Sequence, residues 1–332
     1  MQDVANAVGV SKQTVSAVIN NKPGITRETR ARVLAAIREL SYRPDRIARS
    51  LATGRTQTIA LIVSDISSPF IAKMAIAAED CAHVHGYRLV VYNTHDDVER
   101  EATYFEAASE GTVDGVLFSS AADVNQGLDI LRSVGIPAVA IDRVPCPYSG
   151  PSVMVDNVLA VRLAAEHLLD LGHTRLTYIS GPQGLRMTRE RDGSFRRAIE
   201  ARATGMEVCV QATRAWDLEA GYHAMQCILA HRPIPTGIVV AGDALAIGAM
   251  RAVHAAGLRI PEDISIVGMD DIDIAGYVQP PLTTVRQYVV QLATLGVELL
   301  LDILDSKEPQ QTEIVLTPDL VVRQSTGPPR RD

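Results

Sequence analysis

A chain of 332 residues exceeds the size at which one hydrophobic core stops growing, so two or three domains are expected. Apolar residues make up 47% and aromatics only 4%; the apolar share is mostly Val, Ile, Leu and Ala, which suits buried parallel strands covered by helices and makes an α/β protein the default. The net charge of −7 conceals an asymmetry: residues 1–55 hold ten Lys/Arg against four Asp/Glu, so the short N-terminal end is the candidate anion binder. No apolar run reaches the roughly 18 residues of a membrane span, and the N-terminus lacks the order of a secretory signal, so a cytoplasmic protein without a membrane partner is expected. Cys81, Cys146, Cys209 and Cys227 show neither metal-ligand nor CxxC spacing and read as reduced, partly buried thiols.

The first forty residues read as three short helices, with Val4, Val8, Val15, Val18, Ile19, Val33, Leu34, Ile37 and Leu40 spaced three to four apart. Gly9 falls between the first two, where a left-handed residue turns the chain sharply, and Ser11 can cap the second helix, Ser11 to Asn20. That is a helix-turn-helix arrangement. Thr26 caps a third helix with Glu28 in its first turn, and Tyr42-Arg43-Pro44 is expected to end it.

From Thr58 onward short β-rich runs alternate with helix-length stretches: 59–63, 88–92, 115–118, 138–141, 176–180, 237–241 and 264–268. A helix-Gly-strand junction recurs at Gly86, Gly135, Gly172 and Gly257, in both halves of the body, which therefore reads as two similar doubly wound lobes. In such sheets ligands lie outside the carboxyl ends of the strands. The residues just past the runs are Ser64, Asp65, Asn93, Thr94, Ser119, Asp142, Arg143, Gly181, Gly242, Asp243, Asp270 and Asp271, which are expected to face a shared cleft.

Val4-Ala5, Gly9-Val10-Ser11, Thr14-Val15-Ser16 and Asn20, then Tyr42-Arg43-Pro44 and Ala48-Arg49-Ser50-Leu51, closely resemble the lactose-repressor (LacI/GalR) family of bacterial transcription regulators. The resemblance continues through Asp65-Ile66-Ser67-Ser68-Pro69-Phe70, Val155-Asp156-Asn157, His167 to His173, Pro261 to Gly268 and Pro280-Pro281-Leu282-Thr283-Thr284-Val285. It implies an all-α helix-turn-helix head at 1–44, a hinge helix and linker at 45–57, and at 58–332 a sensor of two doubly wound lobes with the periplasmic-binding-protein fold, acting as a homodimer. The N-terminal lobe is expected at about 58–157 plus 286–316, and the C-terminal lobe at about 158–285 plus 317–326.

By the same resemblance the second helix lies in the major groove of double-stranded operator DNA, with Lys12, Gln13 and Ser16 as base readers. Thr14, Asn20, Thr26 and Arg30 are better placed for phosphates. Ala17 departs from the family pattern, which often has Arg there. The start Met1-Gln2-Asp3 also departs from it, lacking the residues that usually lead into the first helix, so either an upstream start or a trimmed N-terminus is expected. In the hinge, Leu51 matches a wedge that enters the minor groove, with Arg49 beside it; the plain alternative is a basic linker.

For the sensor, the resemblance places Arg191 on ligand oxygens, Asp270 and Asp142 as acceptors from opposite lobes, Trp216 and Phe70 as aromatic contacts, and Gln287 on a crossover. The ligand expected is a sugar or sugar derivative; Arg186, Arg189 and Arg191 together leave room for a sugar acid or a phosphorylated sugar. Each residue has a structural alternative: core packing for Phe70, a turn cap for Asp270, a surface ion pair for Arg191 and a lobe-edge filler for Trp216. Ile71, Met187 and Gly242 stand where the family often has an aromatic, a hydroxyl and an Asn.

An enzyme would need a poised nucleophile, a metal set or a cofactor loop. Gly181-Pro182-Gln183-Gly184 is no GxGxxG, and no HExxH, GxSxG or P-loop occurs, so neither catalytic residues, nor a metal, nor a cofactor is expected. A sugar-binding transport protein would need export. The final residues Thr326-Gly327-Pro328-Pro329-Arg330-Arg331-Asp332 cannot form a heptad helix, so a tetramer through a C-terminal coiled coil is not expected. The remaining reading is a cytoplasmic, nucleoid-associated repressor of sugar or carbohydrate catabolism genes, relieved by an inducer, with a corepressor-dependent regulator as the alternative.

Overall fold

The computed structural model describes residues 1–19, 22–42, 54–123, 127–202, 208–307 and 312–330. The chain divides into two compact units, Met1–Thr56 and Gln57–Asp332.

In the small unit, three helices surround one apolar cluster: α1 (Gln2–Val8), α2 (Lys12–Ile19) and α3 (Arg27–Glu39). Val4, Val8, Val15, Val18 and Val33 are buried in it, whereas Leu34 and Leu40 are exposed. Gly9 takes φ 71° and closes α1, and Ser11 Oγ accepts from the Thr14 amide at 3.1 Å at the start of α2. Thr26 caps α3 by accepting from the Thr29 amide. The end of α3 differs from expectation. It comes before the Tyr42-Arg43-Pro44 step, where Ser41 is left-handed (φ 47°) and the Tyr42 amide donates back to the Ile37 carbonyl. The last carbonyls are satisfied by this turn, so no proline is needed to stop the helix.

The large unit contains two six-stranded sheets. The first has the order β11-β5-β4-β3-β1-β2, from β1 (Thr58–Val63), β2 (Arg88–Asn93), β3 (Gly115–Phe118), β4 (Ala138–Ile141), β5 (Ser152–Val155) and β11 (Glu313–Leu316), all parallel. The second has the order β12-β10-β9-β8-β6-β7, from β6 (Leu176–Ser180), β7 (Cys209–Ala212), β8 (Gly237–Val240), β9 (Ser265–Asp270), β10 (Thr283–Arg286) and β12 (Asp319–Val321); only β12 runs antiparallel. β5, β7, β10, β11 and β12 had no counterpart among the sequence runs. Each is only three or four residues long, and several lie at a sheet edge, half exposed, so they show no continuous apolar signal.

Helices cover both faces of each sheet. The first lobe has α4 (Pro69–Val84), α5 (Val98–Ser109), α6 (Leu128–Val134) and α11 (Val289–Leu304); the second has α7 (Asn157–Asp170), α8 (Arg186–Arg202), α9 (Leu218–Leu229) and α10 (Asp243–Ala255). Strand β1 is buried throughout, with Ile59, Leu61 and Val63 in one core cluster and Ala60 and Ile62 in the other. The four junction glycines all take φ between 75° and 95°, so each helix turns directly into the next strand. Sequence order and space part company at three places. The chain leaves the first sheet after β5, returns after β10 through α11 to β11, and leaves again for β12. Beyond β12, residues 322–330 strap across the second lobe, with the Ser325 hydroxyl buried against Ile266 and Thr283 and the His173 ring donating to the Gly327 carbonyl. The cysteines are more open than expected: Cys81 is half-buried and the other three are exposed.

Helices α9 and α10 approach so closely that a Cβ at Gly221 would lie 2.0 Å from the Leu245 carbonyl oxygen. Gly193 on α8 would meet only the mobile end of Arg197. Gly221→Ala should therefore destabilise the large unit by about 1–3 kcal/mol through overpacking. Gly193→Ala should be neutral or stabilise by up to about 1 kcal/mol through helix propensity. Denaturant unfolding of both variants checks this contrast.

Candidate functional site

A cleft of about 400 Å³ opens at the carboxyl ends of the strands in the large unit. All six residues singled out for the effector line it: Phe70, Asp142, Arg191, Trp216, Asp270 and Gln287. The alternation of strand and helix explains this convergence, since β1, β4, β8, β9 and β10 deliver Ser64-Asp65, Asp142-Arg143, Ala241-Gly242, Asp270 and Gln287 to one edge. Of the other strand-end residues, Asn93, Thr94, Ser119, Gly181, Asp243 and Asp271 are not in the lining. Asn93 accepts from the Ile66 amide, and Asp271 is held by Arg286 and Arg323. Asp243 is fully buried, accepting from the Thr284 hydroxyl at 2.6 Å and the Ile272 amide at 3.0 Å. These carboxylates brace loops instead of facing the cleft.

Arg191 is the centre of the site. Only 1% exposed, it donates Nε to Asn157 Oδ1 at 2.8 Å, one terminal nitrogen to the Ala241 carbonyl at 3.0 Å and the other to Gln287 Oε1 at 3.2 Å. Asn157 and Gln287 both sit on crossovers between the sheets, so the guanidinium ties together the segments on which the lobes would bend. It is no surface ion pair. Gln287 passes the connection on by donating to Asp270 Oδ1, while the Asp243 amide at the start of α10 donates to Asp270 Oδ2 at 3.3 Å.

Burial pushes both cleft carboxyls up. Asp270 rises to about 7, mainly from loss of water, opposed by the Arg191 charge and reinforced by Asp142. Asp142 is also raised by burial, against Arg143 and Arg191. Asp270 has φ 125°, a backbone strain that sites over-determined by their surroundings can hold.

Trp216 is wedged at the wall: a Cβ at Gly181 would lie 2.1 Å from its ring, and the Arg143 guanidinium sits over the ring at 5.5 Å from the centroid. One aromatic surface therefore already carries a cation, which narrows the stacking role expected for Trp216. Its indole Nε1 is buried with no acceptor among the described residues. The arginine trio does not converge as expected. Arg186 pairs with Glu190 at 2.7 Å and Arg189 with Asp123 at 2.6 Å, and neither lines the cleft. Sequence reasoning placed Arg143 at the cleft without a ligand role and missed Asn157 and Arg214 as site residues. Arg143 and Asn157 stood at strand ends or in a quoted motif, but nothing in spacing alone shows that Asn157 carries the Arg191 guanidinium.

In the small unit, Lys12 and Gln13 are exposed on the first turn of α2, while Thr14 and Ser16 are half-buried. The Thr14 hydroxyl pairs with Ser11 at 2.9 Å and the Thr26 hydroxyl with Thr29 at 2.9 Å. Arg30 donates to the Val18 carbonyl at 3.3 Å and the Lys22 carbonyl at 2.9 Å, stapling the end of α2 to α3. Asn20, Arg49 and Leu51 lie outside the described residues.

Residues 1–45 match the family described as bacterial regulatory proteins, lacI family, and residues 165–326 match the periplasmic binding protein-like domain. The ribose operon repressor of Escherichia coli K12 is 32% identical over 98% of this chain and 99% of its own. The chain belongs to the lacI family of bacterial regulatory proteins. The HTH-type transcriptional repressor PurR of Haemophilus influenzae (strain PittEE) is 33% identical, covering 98% of each chain. A lac repressor dimer bound to operator and the anti-inducer ONPF superposes with a TM-score of 0.89 at 29% identity, again over 98% of each. This regulator is a DNA-binding repressor governed by a small-molecule effector, and not an enzyme.

The buried acid pair gives the regulator a pH signature. A carboxyl whose folded value is raised favours the folded state at acidic pH, and that advantage is lost as pH climbs from the ordinary range near 4 to about 7. The melting temperature of Asp270→Asn minus that of wild type should therefore rise by a few degrees across this window and level off above it. Glu101, raised to about 7 by burial elsewhere, is common to both proteins and cancels.

Proposed function

We propose that this regulator represses genes for sugar or carbohydrate uptake and catabolism, and that a neutral polyol in the cleft releases it from its operator. The observation that carries the effector class is the state of Arg191, whose fork is already engaged by Asn157, Ala241 and Gln287 and whose charge faces Asp142 and Asp270. A ligand carboxylate or phosphate brought to Arg191 would meet two acids and a guanidinium with three of its five N–H groups already taken. Hydroxyls instead suit carboxyls that can accept or, when protonated, donate. Phe70 adds an apolar surface to the same lining. The name of the ribose operon repressor supports the sugar reading, while the equal similarity of PurR leaves the choice to the chemistry of the cleft.

The proposed division is a head at 1–44, a hinge helix and linker at 45–57, and lobes at about 58–157 plus 286–316 and 158–285 plus 317–326. Lys12, Gln13 and Ser16 read bases; Thr14, Asn20, Thr26 and Arg49 meet phosphates, with Arg30 contributing chiefly by fixing α2; Leu51 wedges into the minor groove. The protein acts as a homodimer on a near-palindromic operator. Exposed apolar residues away from the cleft support that state: Ile76 and Val84 on α4, and Ile274 with Tyr277, which is 87% exposed. Among the described residues no helix is long and apolar enough to cross a membrane; cytoplasmic, nucleoid-associated residence follows from the role.

Selection from a random duplex pool should recover half-sites about one helical turn apart. On that operator Gln13→Ala should cost about 1–3 kcal/mol and relax preference at one base pair, with non-specific binding unchanged. Recovery of no consensus sequence would defeat the DNA reading. Calorimetric titration should detect neutral pentoses or hexoses and not the matching sugar acids or phosphates. Operator affinity falling with the bound sugar supports an inducer, and affinity rising with it supports a corepressor instead.

A further inference from the structure

Helix α8 carries Arg191 into the cleft, yet it begins without a cap of its own: Leu185 precedes it and has no side-chain acceptor. The first four amides of a helix need partners. The acceptor comes from the other lobe. Asp123, in the loop after β3, takes the Arg186 amide on Oδ1 at 2.8 Å and the Arg189 guanidinium on Oδ2 at 2.6 Å. We infer that Asp123 is a positioning residue that caps α8 from across the lobe boundary and thereby holds Arg191 in place and keeps the two lobes closed on each other.

The loop that presents Asp123 is itself fixed. Glu101 on α5, only 1% exposed, accepts from the Ala121 amide at 2.9 Å, and the Ser120 hydroxyl donates to the Ala122 carbonyl at 2.6 Å. A continuous path thus runs from the body of the first lobe through residues 120–123 into the first turn of α8. Two further links cross the same boundary. Lys73 on α4 pairs with Asp273 at 2.6 Å, and Arg143 lies over Trp216. The Lys73–Asp273 pair is solvent-exposed, with Asp273 82% exposed, so it contributes little. Asp123 is only 14% exposed and combines a charge-assisted bond to a helix amide with an ion pair, so it carries more of the closure. Opening the lobes uncaps α8, and a ligand that needs both lobes then binds only the closed fraction.

Trp216 is the only tryptophan and is packed against the opposite lobe's Arg143, so its fluorescence reports closure without any ligand. In the full-length protein Asp123→Ala should raise the acrylamide quenching constant of Trp216 about twofold, as a cap worth several-fold in the closed population is lost. Asp123→Asn, which keeps an oxygen for the Arg186 amide, should restore most of the protection. Arg189→Ala should have a smaller effect than Asp123→Ala. Quenching equal to wild type in Asp123→Ala, or an Asn variant as open as the Ala variant, overturns the inference; circular dichroism confirms that each variant is folded. Because no sugar is used, failure of the sugar reading leaves this result intact, and the reverse also holds.

Discussion

A guanidinium removed from water must have its charge and its donors answered, and the donors of Arg191 are answered by acceptors from three separate stretches of sequence. Asn157 and Gln287 stand on two crossovers, Ala241 ends β8, and Arg191 itself rides on α8. The rest of the cleft is arranged around this requirement. A buried charge left unpaired costs several kcal/mol, so the hydrogen bonds are set with some rigidity. Asp142 and Asp270 supply the counter-charge, and their own desolvation is the reason both are held above the ordinary carboxylate range. Rigidity at the centre and bending at the crossovers are thus built from the same residues. A polyol that satisfies the acids acts on the very groups through which the two sheets are joined.

The second consequence concerns which acids face the ligand. Asp243 and Asp270 are neighbours at the start of α10, but they are used differently. Asp243 turns inward to Thr284 and Ile272, closing the loop that leads from β9 to the 3-10 turn at 273–276. Asp270, at φ 125°, points its carboxyl to Gln287 and the cleft. Burial raises both carboxyls, and the charge of Asp270 raises Asp243 further.

Much of the fold was legible because parallel strands buried on both faces leave continuous apolar runs, as in residues 59–63 and 176–180, and because a left-handed Gly at a helix end leaves a fixed signature. Of the six cleft residues, Asp142 and Asp270 were legible because ligands gather where strands end, whereas Phe70, Arg191, Trp216 and Gln287 were named through the family resemblance. Short edge strands were not, because β7 and β12 are half exposed and too brief to set a period. The end of α3 was also misread, since a Schellman turn at Ser41 uses backbone geometry that a Ser does not announce. The arginine trio was misjudged for a third reason. Spacing along α8 places Arg186, Arg189 and Arg191 on one helix, but at about 100° per residue Arg191 lies about 140° round the helix from Arg186 and about 160° from Arg189. Arg191 faces inward, and the other two serve the helix's first turn.

That division of labour on α8 explains why the helix can be sensitive to closure at all. A helix with its own Asp or Ser cap would hold its first turn whatever the other lobe did. Here residue 185 is Leu, and the cap is borrowed from a loop that belongs to a different sheet. Within one compact unit, then, the geometry of the N-terminal turn of α8 depends on a contact between lobes, and Arg191 is less than two turns further on. Displacement at the boundary reaches the cleft through a stiff element instead of through a loop. Such coupling needs no contact between the effector and Asp123; it needs only that both favour the same arrangement of the two sheets.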